Sequence, residues 1–457
     1  MNRVMARLDI ASRPQPQARS GHCAVAKKPP PITGSPITGA LLIAVSSEVQ
    51  ADAVDDGLAR AAKPPLGLIL LLGALTAFGP LSIDMYLPAL PAIGQSLHAT
   101  PAAMQQTVAV FFIGMAVGQL FYGPLSDRLG RRAPLLVGLI IYVLATAGCA
   151  LAQSEQILIV LRIAQALAGC AGMVIARAIV RDRFAYNEVL HIFSLLSLVM
   201  GLAPILAPLL GGWVLAVGGW RWIFWFEVIF GGVVAVAAFF LLPESRSEAT
   251  AVQARGESPL RSYLALFRQP RLMGFVLTGA FSGAALFTYV AASPDILIGV
   301  FHVPPSQFGL FFGANAVGLI GATQVNARLA RRIPFEVILS WANLVVLGGG
   351  VLLAIDAVTG FGGLWGVMVP MFLIMASFGF NQSNATVGAL GVDPLRSGTI
   401  SSLFGAASFG AGAAAAGLAG ALRDGTARPM AFVIVAVLGC AVVSLRTLAP
   451  VRKMNGR

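Results

Sequence analysis

Residues 111–132 read FFIGMAVGQLFYGPLSDRLGRR and residues 311–332 read FFGANAVGLIGATQVNARLARR; the two align without a gap at an offset of 200, with 9 identities in 22 positions. Matches of Gly and Ala arise easily in apolar sequence, but the shared Arg-Leu-x-Arg-Arg ending does not. The pair therefore reads as an internal duplication. An apolar run closed by clustered arginines is also what a membrane-crossing helix looks like at its cytoplasmic end. About 20 apolar residues cross the hydrocarbon core, and the basic excess stays on the cytoplasmic side.

Working outward from these two copies, apolar runs of that length recur from Leu66 to the end of the chain. Twelve are predicted, over residues 66–88, 104–125, 133–153, 156–178, 190–216, 221–242, 271–294, 306–326, 334–355, 362–388, 397–421 and 428–449. The composition agrees, with 57% apolar and only 11% charged residues, against about 25% charged in a soluble domain. Basic residues gather in alternate connections: Arg128, Arg131 and Arg132; Arg181 and Arg183; Arg246, Arg255, Arg261, Arg268 and Arg271; Arg328, Arg331 and Arg332. That alternation predicts that both termini are cytoplasmic. The formal net charge of +12 is thus distributed as topology signals, not as the single basic stripe of a nucleic-acid binder.

The expected organisation is an all-α membrane protein of twelve transmembrane helices in two pseudo-symmetric six-helix bundles. Residues 65–243 form the first bundle, 244–269 a cytoplasmic linker, 270–450 the second bundle and 451–457 a cytoplasmic tail. Residues 1–64, rich in Pro, Ala, Ser and scattered charge, are expected to be a disordered cytoplasmic extension. The short apolar run from Ile37 to Val45 is too short to span. Cys23, Cys149, Cys170 and Cys440 show no paired spacing and read as small apolar fillers. Duplicated halves are typical of secondary transporters, which bind a substrate near the midplane and expose it alternately to each side.

Within the first copy, Gly123-Pro124-Leu125-Ser126-Asp127-Arg128-Leu129-Gly130-Arg131-Arg132 resembles the cytoplasmic signature of the major facilitator transporters. The glycines permit a tight turn and close helix approach, and Asp127 can cap a helix or pair with basic groups across the interface between halves. The resemblance implies a gating latch built from Gly123, Asp127, Arg128, Gly130, Arg131 and Arg132. The alternative is a plain topology signal. Ala327 and Ala330 replace the Asp and Gly in the second copy, which predicts loss of the latch there.

Asp84 stands in Gly79-Pro80-Leu81-Ser82-Ile83-Asp84-Met85-Tyr86-Leu87-Pro88, among apolar residues. In a low dielectric a carboxyl favours its neutral form, so it can take a proton on one side of a membrane and release it on the other. The alternative is an inert, solvated carboxylate at the outer end of the helix. The phrase Asp-Met-Tyr-Leu-Pro-Ala-Leu-Pro resembles the first helix of the bicyclomycin and chloramphenicol resistance (Bcr/CflA) subfamily of drug:proton antiporters, and the resemblance implies a coupling role for Asp84. Arg162 lies in Leu161-Arg162-Ile163-Ala164-Gln165-Ala166-Leu167-Ala168-Gly169, similar to the family's Arg-x-x-Gln-x-x-x-Gly pattern. It either faces a polar interior or snorkels to the outer interface. The run Gly201-Leu202-Ala203-Pro204-Ile205-Leu206-Ala207-Pro208-Leu209-Leu210-Gly211-Gly212 resembles the antiporter signature, with Pro204 and Pro208 as bending points and Gly201, Gly211 and Gly212 as places of close approach.

Tyr86, Gln119, Gln165, Asn315 and Asn381 are candidates for the substrate cavity, each equally readable as a helix-helix hydrogen bond. Glu227, just after Trp220-Arg221-Trp222, is expected near the outer surface. No nucleotide-binding loop, metal-ligand cluster or nucleophile constellation is present, so neither an ATP-driven pump nor an enzyme is expected. The resemblance implies a monomeric bacterial inner-membrane antiporter. It would export drugs or other small molecules against protons, with no cofactor and the proton gradient as energy source. Export of an endogenous metabolite (an amino acid, sulfur compound or sugar) and a non-transporting sensor on the same scaffold are the rival readings.

Overall fold

The computed structural model describes residues 66–450 apart from 185, 249–250 and 253–257. The expected N-terminal extension, the tail and Arg255 of the linker lie outside the described residues.

Among the described residues twelve helices are long and apolar enough to cross a membrane, so the chain is a multi-pass membrane protein. Spans 1 to 6 are Leu66–Ser96, Pro101–Leu129, Arg132–Leu151, Glu155–Arg183, Leu195–Gly218 and Trp220–Leu241. Spans 7 to 12 are Pro270–Val300, Pro305–Leu329, Phe335–Thr359, Gly363–Val392, Ser397–Ala421 and Arg428–Leu448. Their ends follow local chemistry. Thr100 caps span 2 by accepting from the Ala103 amide at 3.1 Å, with Pro101 at the first helical position, where a missing N–H costs nothing. Ser154 caps span 4 in the same way. Gly360 closes span 9 in the left-handed conformation.

Two departures from the sequence reading matter. Span 1 does not stop near residue 88: its helix runs from Leu66 to Asp84, breaks over Met85 and Tyr86, passes through a short 3-10 turn at Leu87–Ala89, and resumes as Leu90–Ser96. The linker, expected only as a polar connection, carries a helix of its own at Pro259–Phe267.

Spans 2, 3 and 4 pack together, with spans 1, 5 and 6 against them, and spans 7 to 12 repeat the pattern. Small residues bring span 2 onto span 4. A methyl group on Gly118 would sit 2.6 Å from the Cys170 Cβ, so only glycine fits at that crossing. The two bundles meet chiefly through span 2 on span 11 and span 5 on span 8. Outward residues such as Phe240, 77% exposed, and Leu144, 66% exposed, would be costly in water and are at home against acyl chains.

Candidate functional site

Asp84 is the last residue of the first helical segment of span 1. It is 6% exposed, and its carboxyl makes no hydrogen bond or ion pair with any described residue. The alternative of a solvated carboxylate at the helix end does not hold: the span continues beyond the break through the 3-10 turn and the helix Leu90–Ser96, and the side chain is buried. Discontinuous membrane helices with an ionisable residue at the interruption are a recurring way to build a site at membrane depth, where irregular backbone survives only if protein or a cavity surrounds it.

Two residues before Asp84, the Ser82 carbonyl accepts from Arg162 Nη1 at 2.9 Å. The same Arg162 nitrogen donates to Gln165 Oε1 at 2.8 Å. Gln165 Nε2 in turn donates to Glu227 Oε2 at 2.7 Å and to Thr146 Oγ1 at 2.9 Å. Tyr142 donates to the same Glu227 oxygen at 3.3 Å and shares a 2.7 Å hydroxyl pair with Ser82. The Arg162 guanidinium lies between two rings, 4.3 Å from the Tyr86 centroid and 4.2 Å from that of Phe111. Arg162 is 0% and Glu227 1% exposed, so Arg162 does not snorkel. Glu227 is not near the outer surface as expected; it is the buried acid of this network. The Trp220–Trp222 cluster misleads, because Glu227 is two turns further along span 6 and on the face turned to span 3. Arg162 Nε and Nη2 and Glu227 Oε1 keep no hydrogen-bond partner.

The antiporter signature wraps around the break. Gly211 lies directly on the Met85 backbone, and Gly212 on the Pro305 carbonyl at the start of span 8. Gly201 faces Ile320, so this one segment touches span 1 and the opposite bundle together. Pro204 and Pro208 are accommodated inside a continuous helix, Tyr186–Gly218.

The loop Gly123–Arg132 is organised around Arg131, 4% exposed, which reaches Asp127 at 2.5 Å and Asp182 at 2.8 Å, and donates to Ser126 Oγ at 2.8 Å. Burial opposes its charge, but the two carboxylates more than compensate and hold it firmly protonated. Glu244, just past span 6, accepts from the amides of Arg131 and Arg132 at 2.8 and 3.2 Å and so caps the start of span 3 with a negative charge. Gly130 at φ +96° leaves room for that carboxylate: a Cβ there would come within 2.5 Å of it. Arg246 donates to the carbonyls of Asp127 and Arg128, and Arg132 to that of Phe239. Asp127 therefore pairs within its own loop; of the two roles open to it from the sequence, capping a helix or pairing across the interface between halves, the second is not seen. The opposite half is met at Gly123, against Ser402, and through the linker's Tyr263, whose hydroxyl donates to the Leu120 carbonyl.

The five cavity candidates do not converge. Tyr86, bonded to Thr107 at 2.7 Å, and Gln165 belong to the Arg162 cluster. Gln119 contacts Met173 and Gly405. In the other half Asn315 donates to Tyr289 at 2.7 Å, and Asn381 pairs with Asn343 and Ser282. All five are buried, and each is engaged in interhelical contacts.

Sequence reasoning missed Asp182 and Glu244, which come to the loop from distant segments, and Arg177. Arg177 stands on span 4 one turn beyond Met173, whose methyl lies against Gly79 of span 1 and whose sulfur contacts Gln119 of span 2. Its side chain is surface-exposed, donates to the Met173 carbonyl of its own helix and has no carboxylate partner among the described residues. An arginine in the last third of span 4, short of the terminal Arg181 and Arg183, was the available signal.

Residues 71–417 match the family model described as Major Facilitator Superfamily. The chain is 32% identical over 377 residues to the bicyclomycin resistance protein homolog of Haemophilus influenzae, covering 82% of this chain and 94% of that one. It is 31% identical over 338 residues to the chloramphenicol resistance protein of Pseudomonas aeruginosa, covering 74% and 79%. Among solved structures, a D-xylose-proton symporter superimposes with a TM-score of 0.68 at 12% identity, over 86% of this chain and 99% of that one.

Proposed function

The chain belongs to the Major Facilitator Superfamily of membrane transporters, and from that premise we propose that it is a proton-coupled exporter of drug-like small molecules, working as an antiporter by alternating access. In this reading it sits in a bacterial inner membrane as a monomer, with both termini on the cytoplasmic side. The observation that carries the reading is Asp84: a buried carboxyl without a partner, at a break in span 1, lying beside the place where the antiporter-signature glycine Gly211 bears on the backbone. A carboxyl in that position has little to stabilise its charge until water or substrate reaches it, which ties protonation to the conformational state. Arg162 is the conformational partner, and the Arg131 loop the gate. One proton moving through 100 mV yields about 2.3 kcal/mol, enough for more than a tenfold solute gradient.

The test is transport by protein in sealed vesicles with an imposed pH gradient, using chloramphenicol and bicyclomycin, the compounds named for its relatives, as first substrates. Wild type should move substrate against incoming protons and alter internal pH. Asp84→Asn should assemble normally and lose the proton-driven flux; full flux in that variant removes Asp84 from the mechanism.

A second reading, export of an endogenous amino acid or sulfur compound, is favoured by Arg177. An exposed guanidinium near the end of span 4, without a carboxylate partner among the described residues, suits a substrate that carries a negative group.

A further inference from the structure

The two copies of the Arg-Leu-x-Arg-Arg loop have the same sequence spacing and opposite electrostatic fates. In the first, Arg131 is drawn inward between Ser126, Asp127 and Asp182, and Glu244 faces the amides that follow. In the second, the residue at the Asp127 position is Ala327 and that at the Ser126 position is Asn326, which is occupied with Asn384 at 2.8 Å. Arg331 and Arg332 accordingly turn outward; both are exposed, and neither has a side-chain hydrogen bond or ion pair with a described residue. Glu336, in the helix that follows, is directed to Arg271 at 3.8 Å. Where the first copy is filled by the Arg131 side chain, the second holds a cavity of about 520 Å³, lined by Asn326, Arg331, Arg332, Ser383 and Asn384.

We propose that this cavity seats the phosphate of an anionic phospholipid headgroup. Two guanidinium groups offer paired N–H donors matched to phosphate oxygens, and the Asn326 side-chain amide adds a further donor, whereas Ser383 and Asn384 already donate to the Gly379 carbonyl and to Asn326 and Phe380. The rest of the lining is mostly apolar, with Ile333, Phe335 and Val387, the last 54% exposed, which fits the glycerol and first acyl carbons better than it fits a free ion. Basic pockets between helices at the cytoplasmic end of a membrane bundle are favourable for such headgroups. The topology rule explains why arginines are at this end of span 8; it does not explain an open, polar-lined slot beside them. Loss of Asp at position 327 explains both: without an internal anion the arginines are left to an external one.

The experiment is native mass spectrometry of the purified full-length chain, delipidated in detergent and titrated with phosphatidylglycerol, phosphatidylcholine or inorganic phosphate. Wild type should retain phosphatidylglycerol over phosphatidylcholine. Arg331→Gln with Arg332→Gln should weaken that retention by about fivefold per arginine removed. Ala327→Asp keeps both arginines and restores the internal partner of the first copy, so it should weaken retention as well without altering the positive-inside signal. Unchanged phosphatidylglycerol retention in both variants overturns the site. Arginine-dependent binding of inorganic phosphate with no preference for the lipid keeps the anion site and overturns the lipid assignment. Neither readout involves transport, so the result stands apart from the fate of the proton-coupling proposal.

Discussion

Gly211 and Met85 are in backbone contact: a methyl group on Gly211 would overlap the Met85 carbonyl oxygen, carbon and Cα. The antiporter signature of span 5 is thereby fitted to the one place where span 1 is not helical. A clash with main chain cannot be relieved by a rotamer change, and overpacking of this kind costs about 1–3 kcal/mol. Gly211→Ala should therefore lower transport by about tenfold or more. Gly212→Ala, whose methyl would meet the Pro305 carbonyl at 3.0 Å, should be milder, and Gly232→Ala, with nothing within 4 Å, should be silent. Equal activity in all three variants would remove the coupling between this signature and the break.

The architecture was legible in the sequence because its signals are one-dimensional. Span length, basic loop ends and the duplicated loop each depend only on neighbouring residues. The eleventh run, rich in Gly and Ala, is helical over Ser397–Ala421, as its length predicted. Partners were not legible. Glu227 reads as interfacial because three aromatic and basic residues precede it, yet its surroundings are set by Gln165 and Tyr142 on other helices. Asp182 and Glu244 belong to the Arg131 loop only after folding brings spans 4 and 6 to it. The break after Asp84 had a local signal in Pro80 and Pro88, but proline alone does not say whether a membrane helix bends, breaks or ends.

The Arg162–Gln165–Glu227 chain predicts energetic coupling between two charges that do not form a direct ion pair. Removing one partner of a buried charge pair costs up to about 3–5 kcal/mol, because the other is left uncompensated. Glu227→Gln and Arg162→Gln should each lower thermal stability in detergent. The double variant should recover part of the loss, giving a non-additive cycle. Additive losses, or a Glu227→Gln protein as stable as wild type, would mean that Glu227 carries no charge for Arg162 to balance.

At the gating loop, burial of the Glu244 carboxyl works against its charge, but the amides of Arg131, Arg246, Arg132 and Ser245 outweigh it and hold the group below the usual glutamate range. With the folded value depressed, its contribution is complete above the ordinary value of about 4.3 and is lost as pH falls through the folded value. Thermal stability of wild type should therefore fall on acidification below about pH 4 more steeply than that of Glu244→Gln. The Glu244→Gln variant should already be less stable at neutral pH. Parallel pH curves for the two proteins would exclude this carboxylate as a cap of span 3.

Arg177 is the residue on which the reading of an anionic substrate is tested. It stands one turn beyond Met173 on span 4, and its one side-chain hydrogen bond among the described residues is to the Met173 carbonyl of its own helix at 3.1 Å. Under the anionic-substrate reading a carboxylate or sulfonate compensates this guanidinium through a charge-assisted hydrogen bond worth about 1.5–3 kcal/mol. In competition assays with paired neutral and anionic analogues, wild type should prefer the anionic member. Arg177→Gln should lose about tenfold or more of that preference while leaving neutral compounds nearly unaffected. Arg177→Lys should keep the preference in part, because the point charge persists while the paired donors do not. If Arg177→Gln slows neutral and anionic solutes alike, the residue serves the packing or movement of span 4, and the substrate's charge is set elsewhere.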